Sequence, residues 1–339
     1  MIAPPPGYRE AAGPLRIVAI GGGTGLSTLL SGLKPYAQEG LVDLSAIVTV
    51  TDDGGSSGRL RREFDILPPG DIRNCMVAMS EDEALLSRLF QYRFPTGQGL
   101  KGHSFGNLFL TALTHVTGDF PRAVKVSSEV LAICGRIYPS TSENVSLRAH
   151  MADGAIVQGE TRISRSRKRI AKLELCPEKV KPLRDALDAI AAADLITLGP
   201  GSLYTSVIPN LLVQGMARAL RRSPALKVYI ANLMWQPWET MFYSAYDHVA
   251  AIHRHAGKGT IEKVILNSTP LKGAQRRLYA AGKVYPVEQD SPRITDEGIE
   301  VVWRPLLAKS EKVRHDSRAL AQVCLELAGA GRARKQPGG

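Results

Sequence analysis

A short apolar run, Ile17-Val18-Ala19-Ile20, stops at three glycines, Gly21-Gly22-Gly23. Immediately afterwards Leu26, Leu29, Leu30 and Leu33 recur at the spacing of one helix face. The pattern predicts a buried strand that passes through a glycine turn into a helix. Such a turn lets the backbone approach a ligand closely, and the helix start leaves N–H groups without intrahelical partners. Those donors and the positive end of the helix dipole suit a phosphate. The fingerprint is partial. A dinucleotide motif needs a further glycine where Thr28 stands, and a Walker loop needs a lysine, yet none occurs before Lys34. We read an anion site rather than a bare turn, with Gly22, Gly23, Thr24, Gly25, Leu26 and Ser27 as its residues.

The 339 residues suffice for a large core, and 44% hydrophobic with 22% charged residues is the composition of a globular protein. No apolar run is long enough to span a membrane, and the Pro-rich start has neither the basic nor the apolar region of a signal peptide. The expected location is the cytoplasm. Cys75, Cys134, Cys176 and Cys324 are scattered, which points to neither a zinc site nor a disulfide framework. The net charge of +11 draws on the runs Arg162–Arg169 and Arg332–Lys335. Neither run carries the interleaved aromatics of a single-strand binding platform, so solvated surface is preferred to nucleic-acid binding. Salt-sensitive retention of DNA or RNA through Arg162 to Lys172 is the distant alternative.

Strand and helix patterns alternate along most of the chain. The expected fold is an α/β domain over residues 14–328, with a mainly parallel sheet. Flexible tails are expected at 1–13 and 329–339. The first helix should close near Lys34-Pro35, Asp71 should N-cap a helix from Ile72 to Met79, and further helices are read at Glu83–Tyr92 and Val126–Ala132. Between about 154 and 176 the pattern becomes that of a β-hairpin insertion with the basic run in its turn. His248, His253 and His255 do not share one helix face, which argues against a metal cluster.

In this scheme four polar loops follow parallel strands and share one rim of the sheet: Gly21–Ser27, Asp52–Arg59, Gly199–Ser206 and Asn232–Thr240. Ligands of open α/β sheets bind along that rim. Gly201, Ser202 and Thr205 would help to cradle a pyrophosphate. Asp52 or Asp53 would meet a ligand hydroxyl or a phosphate-bound Mg²⁺, and Ser56 and Ser57 lie beside them. Arg59, Arg73, Asn74 and Lys101 suit phosphate oxygens. His103 serves equally as a phosphate donor or a structural histidine, with Asn107 on the same loop. Asn232 opens the fourth loop, whose Trp235 and Trp238 should lie near the mouth of the site.

The motifs Gly21–Ser27, Asp52–Arg61, Pro68–Asn74, Gly102–Asn107 and Gly199–Ser206 resemble, in order, those of the bacterial gluconeogenesis factor family. These factors are relatives of the CofD enzyme 2-phospho-L-lactate transferase. The resemblance implies a Rossmann-like three-layer α/β/α fold and a UDP-sugar ligand of the UDP-N-acetylglucosamine type. It also implies a regulatory role in cell shape and envelope synthesis on gluconeogenic carbon sources. A protein partner in envelope synthesis and a homo-oligomer would fit such a regulator. No firm cofactor is implied, and Mg²⁺ enters only with a bound nucleotide diphosphate. In the transferase branch the acidic loop lacks the string seen here from Asp53 to Gly58, which favours a non-catalytic regulator over a phosphotransferase. The family's fourth loop carries a threonine and a glycine where Trp235 and Trp238 stand, so the resemblance does not fix ligand preference there.

Overall fold

The computed structural model describes residues 13–80 and 85–335. β1 (Leu15–Gly21) leads into α1 (Gly23–Gln38) and then β2 (Val42–Val48). The two strands are parallel and in register from Leu15↔Val42 to Gly21↔Val48, as a helical crossover requires. Five helices follow: α2 (Gly55–Phe64), α3 (Gly70–Met79), α4 (Leu85–Gln91), α5 (Phe105–Thr117) and α6 (Phe120–Val130). Next comes β3 (Arg136–Pro139), then an excursion of β4 (Ser146–Met151), β5 (Ile156–Gln158), α7 (Glu160–Arg165) and β6 (Ile170–Cys176). α8 (Arg184–Ala192) and β7 (Leu195–Leu198) resume the alternation. A π-helical turn, Leu203–Val207, then runs into α9 (Ile208–Leu212). The rest is α10 (Met216–Arg222), β8 (Leu226–Ile230), α11 (Ala245–Ala256), β9 (Lys263–Asn267), α12 (Gly273–Ala281), α13 (Ser291–Asp296), β10 (Glu300–Arg304) and α14 (Ser317–Lys335).

Seven strands form one parallel sheet in the order β10-β9-β8-β7-β1-β2-β3. β7 and β8 are buried at every residue, because helices cover both faces of an all-parallel sheet. The chain winds one way from β1 to β3 and the other way from β7 to β10. The switch point therefore lies between β1 and β7, and the glycine loops of both strands emerge there.

Several local expectations are corrected. α1 does not stop at Pro35 but runs to Gln38. Burial of Leu26, Leu29, Leu30 and Leu33 in the core outweighs the one hydrogen bond that proline removes. α3 begins at Gly70 with Pro69 as its cap residue, so Asp71 is inside the helix and does not cap it. The helix read at 126–132 is the end of α6, which closes at Val130. The helix read at 83–92 appears as α4, and its first two residues lie outside the described ones. The insertion is a three-stranded antiparallel sheet, not a hairpin. β4 pairs with both β5 and β6, and the first part of the basic run is helical in α7.

Of the two expected tails, residues 1–12 and 336–339 lie outside the described residues. Residues 329–335 are helix. Arg332 is buried there, donating to Asp194 Oδ2 at 2.7 and 3.1 Å and to the Gly13 carbonyl at 2.7 Å. Lys335 reaches Asp194 Oδ1 at 3.1 Å. A buried carboxylate requires such partners, and Asp194 draws the helix end onto the body.

Candidate functional site

α1 starts at Gly23, so the N–H groups of its first turn have no intrahelical acceptor. Gly23 itself, at φ +60, donates to the carboxylate of Asp71. Thr24 and Gly25 line a cleft of about 400 Å³. Gly22 to Gly25 form one wall of this cleft, Gly201, Ser202 and Ser206 a second, Asn232 to Gln236 a third, and Arg314 and His315 a fourth. It lies at the switch point, where open parallel sheets bind ligands. Gly25 joins the two glycine loops: a Cβ there would stand 2.7 Å from the carbonyl carbon of Pro200 and 2.9 Å from Gly201 Cα. That glycine is needed for packing of backbone on backbone.

Two further cavities continue the cleft. One of about 630 Å³ shares Thr24 and Arg314 with it and extends over Ser27, Arg73 and Asn74. Another of about 300 Å³ shares Asn232 and Leu233 and runs over the β9 loop, Asn267 to Leu271. A separate groove of about 620 Å³ lies between α6, β3 and the start of α8. None of the glycine loops reaches it.

The second glycine loop differs from expectation. Its helix-start N–H groups are taken by the chain itself. Leu203 N donates to Gln236 Oε1 at 3.3 Å, and Tyr204 N to Glu239 Oε1 at 2.9 Å. Thr205 donates to Glu239 through both its N–H and its hydroxyl. The Glu239 carboxylate thus occupies the position expected for a ligand phosphate, and burial pushes its pKa up to about 7. What this loop offers the cleft is Gly201 with the hydroxyls of Ser202 and Ser206. The Ser202 hydroxyl accepts from Gln236 Nε2.

The acidic loop turns inward. Asp53 Oδ1 accepts from Thr161 N at 2.8 Å and Thr161 Oγ1 at 2.6 Å, anchoring the start of α7. Asp52 Oδ1 accepts from Gly54 N at 2.9 Å. Burial and the charge of Asp52 push Asp71 up to about 6. Glu160, bonded by the Thr51 hydroxyl at 3.0 Å, is raised by burial and then by the charges of Asp52 and Asp71. Among the described residues, no three His, Cys, Asp or Glu side chains are placed to hold a metal ion.

Of the residues singled out by sequence, Gly22, Gly23, Thr24, Gly25, Gly201, Ser202 and Asn232 line the central cleft, and Ser27, Arg73 and Asn74 the larger cavity beside it. Leu26 is a fully buried core residue. Ser56 Oγ lies 2.9 Å from His103 Nδ1 with both side chains buried. Burial, followed by the Arg59 charge, lowers the His103 pKa, and this histidine does not line the central cleft. Ser57 accepts from Asn107 Nδ2 at 3.4 Å. Arg59 donates to the Lys101 carbonyl at 2.8 Å, and neither lines the cleft. Thr205 is engaged by Glu239.

The indoles separate. Trp235 lines the cleft and packs edge-on against Phe242 (4.8 Å) and Tyr285 (5.3 Å). Trp238 does not line it; the Arg167 guanidinium sits 5.3 Å over its ring. Arg314, His315, Gln236 and Glu239 were missed in the sequence. A lone acid in an apolar loop at the rim was a usable signal for Glu239.

A family model for 2-phospho-L-lactate transferase CofD matches residues 17–307. The gluconeogenesis factor of Halalkalibacterium halodurans is 46% identical over 311 residues, spanning 91% of this chain and 95% of that one. That of Bacillus subtilis is 46% identical over 313 residues, 92% and 98% of the two chains. The chain belongs to the gluconeogenesis factor family. A crystal structure of a UPF0052 family protein from Bacillus halodurans superposes with a TM-score of 0.89 at 45% identity, covering 92% of this chain and 100% of that one. This family member keeps the three-layer architecture. Among the described residues no helix is long and apolar enough to cross a membrane.

Proposed function

We propose that this gluconeogenesis factor family member is a cytoplasmic regulator that binds a UDP-sugar of the UDP-N-acetylglucosamine type and acts in cell shape and envelope synthesis during growth on gluconeogenic carbon. The observation that carries the reading is the central cleft. Thr24 and Gly25, whose first-turn N–H groups have no intrahelical acceptor, line it together with Ser202 and Arg314. The diphosphate lies against Thr24, Gly25 and Arg314, where the α1 dipole and a guanidinium favour it. The nucleoside and sugar extend along Asn232 to Gln236 and into the cavity beyond Asn232. A protein partner reads the liganded state. Calorimetry of the full chain with UDP-N-acetylglucosamine tests this. No heat and no thermal shift at millimolar ligand would refute it.

A phosphotransferase of the 2-phospho-L-lactate type is the second reading, and the match to the 2-phospho-L-lactate transferase family model favours it. Its test is incubation with Mg²⁺, a deazaflavin acceptor and an activated lactate donor. Product that disappears in Asp53→Ala would replace the regulator reading with this one.

A further inference from the structure

Beside the central cleft, the cavity of about 630 Å³ lies between α1, α3 and α4. Arg73, Arg93 and Arg314 line it together with the hydroxyl-bearing Ser27, Ser31 and Ser87. None of its described lining residues is acidic. Asp71 and Asp52 lie close enough for their charges to act on Arg73, but neither lines the cavity. Arg73 spends Nη1 on Ser104 Oγ at 2.6 Å and Nη2 on Asn74 Oδ1 at 2.7 Å. Among the described residues, its Nε and the Ser87 hydroxyl are buried without a partner, a state that a folded chain ordinarily avoids. Burial and the neighbouring Arg93 charge both act against the charged form of Arg73. Gathering like charges is unfavourable unless an anion completes the set.

We propose that this cavity binds a second small molecule, a phosphomonoester on a hydroxylated body, separately from the nucleotide in the central cleft. A phosphomonoester brings close to two negative charges and three acceptor oxygens, which match the Arg73 Nε–H, the Arg314 guanidinium and that of Arg93, whose Nη1 donates to the Gly102 carbonyl at 2.6 Å. The neutral sugar of UDP-N-acetylglucosamine calls for no such charge. The volume exceeds what a bare phosphate fills, and the serines supply partners for sugar hydroxyls. Because Thr24 and Arg314 line both cavities, the two ligands would lie side by side with Arg314 between them.

The test is calorimetric titration of the full chain with glucose 6-phosphate, inorganic phosphate and citrate, each with and without UDP-N-acetylglucosamine. Glucose 6-phosphate should bind more tightly than phosphate or citrate, and saturating UDP-N-acetylglucosamine should not displace it. Arg93→Ala should weaken it roughly tenfold or more, by removal of one charge-assisted contact. Ser31→Glu, an exposed position on α1, should abolish binding by placing a carboxylate in the cavity. Both variants should bind UDP-N-acetylglucosamine like the wild type and keep its circular dichroism. The proposal is overturned if glucose 6-phosphate does not bind, if both variants bind it unchanged, if citrate binds as tightly, or if the nucleotide sugar competes it away. Failure of UDP-N-acetylglucosamine to bind, with glucose 6-phosphate bound and sensitive to both variants, would refute the nucleotide-sugar reading and uphold this one.

Discussion

Replacing Glu239 by Gln isolates the energetics of a buried carboxyl group. In the folded chain this carboxylate is buried on the N–H groups of Tyr204 and Thr205, and its pKa rises from 4.5 to about 7. The folded state therefore holds the proton to higher pH than the unfolded chain does. Its stabilising contribution is fully present below pH 4.5 and is lost as pH rises through 7. A shift from 4.5 to about 7 corresponds to about 3 kcal/mol. Glutamine retains an acceptor oxygen for the two N–H groups but does not titrate. Urea denaturation followed by circular dichroism should show wild type losing about 3 kcal/mol relative to Glu239→Gln between pH 4.5 and 7.5. Asp71 and Glu160 also titrate upward by burial, but they are present in both proteins and largely cancel in the difference. Parallel stability curves for the two proteins would refute the assignment of Glu239 as a buried, proton-holding occupant of this helix start.

Gly25→Ala forces a Cβ against Pro200 and Gly201, and should cost about 1–3 kcal/mol by overpacking, along with UDP-N-acetylglucosamine affinity; thermal unfolding and calorimetry measure both. Arg332→Ala strips Asp194 of its principal buried partner and should destabilise by about 3 kcal/mol, seen as a lower urea midpoint. Trp235 lines the cleft whereas Trp238 packs under Arg167. UDP-N-acetylglucosamine should therefore change the tryptophan emission, with the change mostly lost in Trp235→Phe and kept in Trp238→Phe.

The first βαβ unit was legible because its signals are local: a β-branched run, a glycine stop and a leucine period. The shared rim followed from parallel strands alone. Strand β4 was equally legible, since Leu147, Ala149 and Met151 alternate as buried residues, yet the basic run drew attention to a hairpin farther on. The end of α14 was not legible, because Arg332 to Lys335 reads as a solvated charge run until Asp194, far back in sequence, is placed beneath it. The same holds for the site. Glycines and hydroxyls announce a phosphate loop, but which N–H groups stay free depends on Asp71 and Glu239 arriving from other elements. Arg93 and Arg314 come from irregular segments whose position no periodicity encodes.

Occupation of the cleft at the β1/β7 switch point by a nucleotide diphosphate sugar is tested most directly by the crystal structure of the full chain with UDP-N-acetylglucosamine. Density for the diphosphate is expected against the N–H groups of Thr24 and Gly25 and the Arg314 guanidinium, with the remainder running past Asn232. Nucleotide density in the groove between α6 and β3, or in the arginine-lined cavity alone, would contradict it.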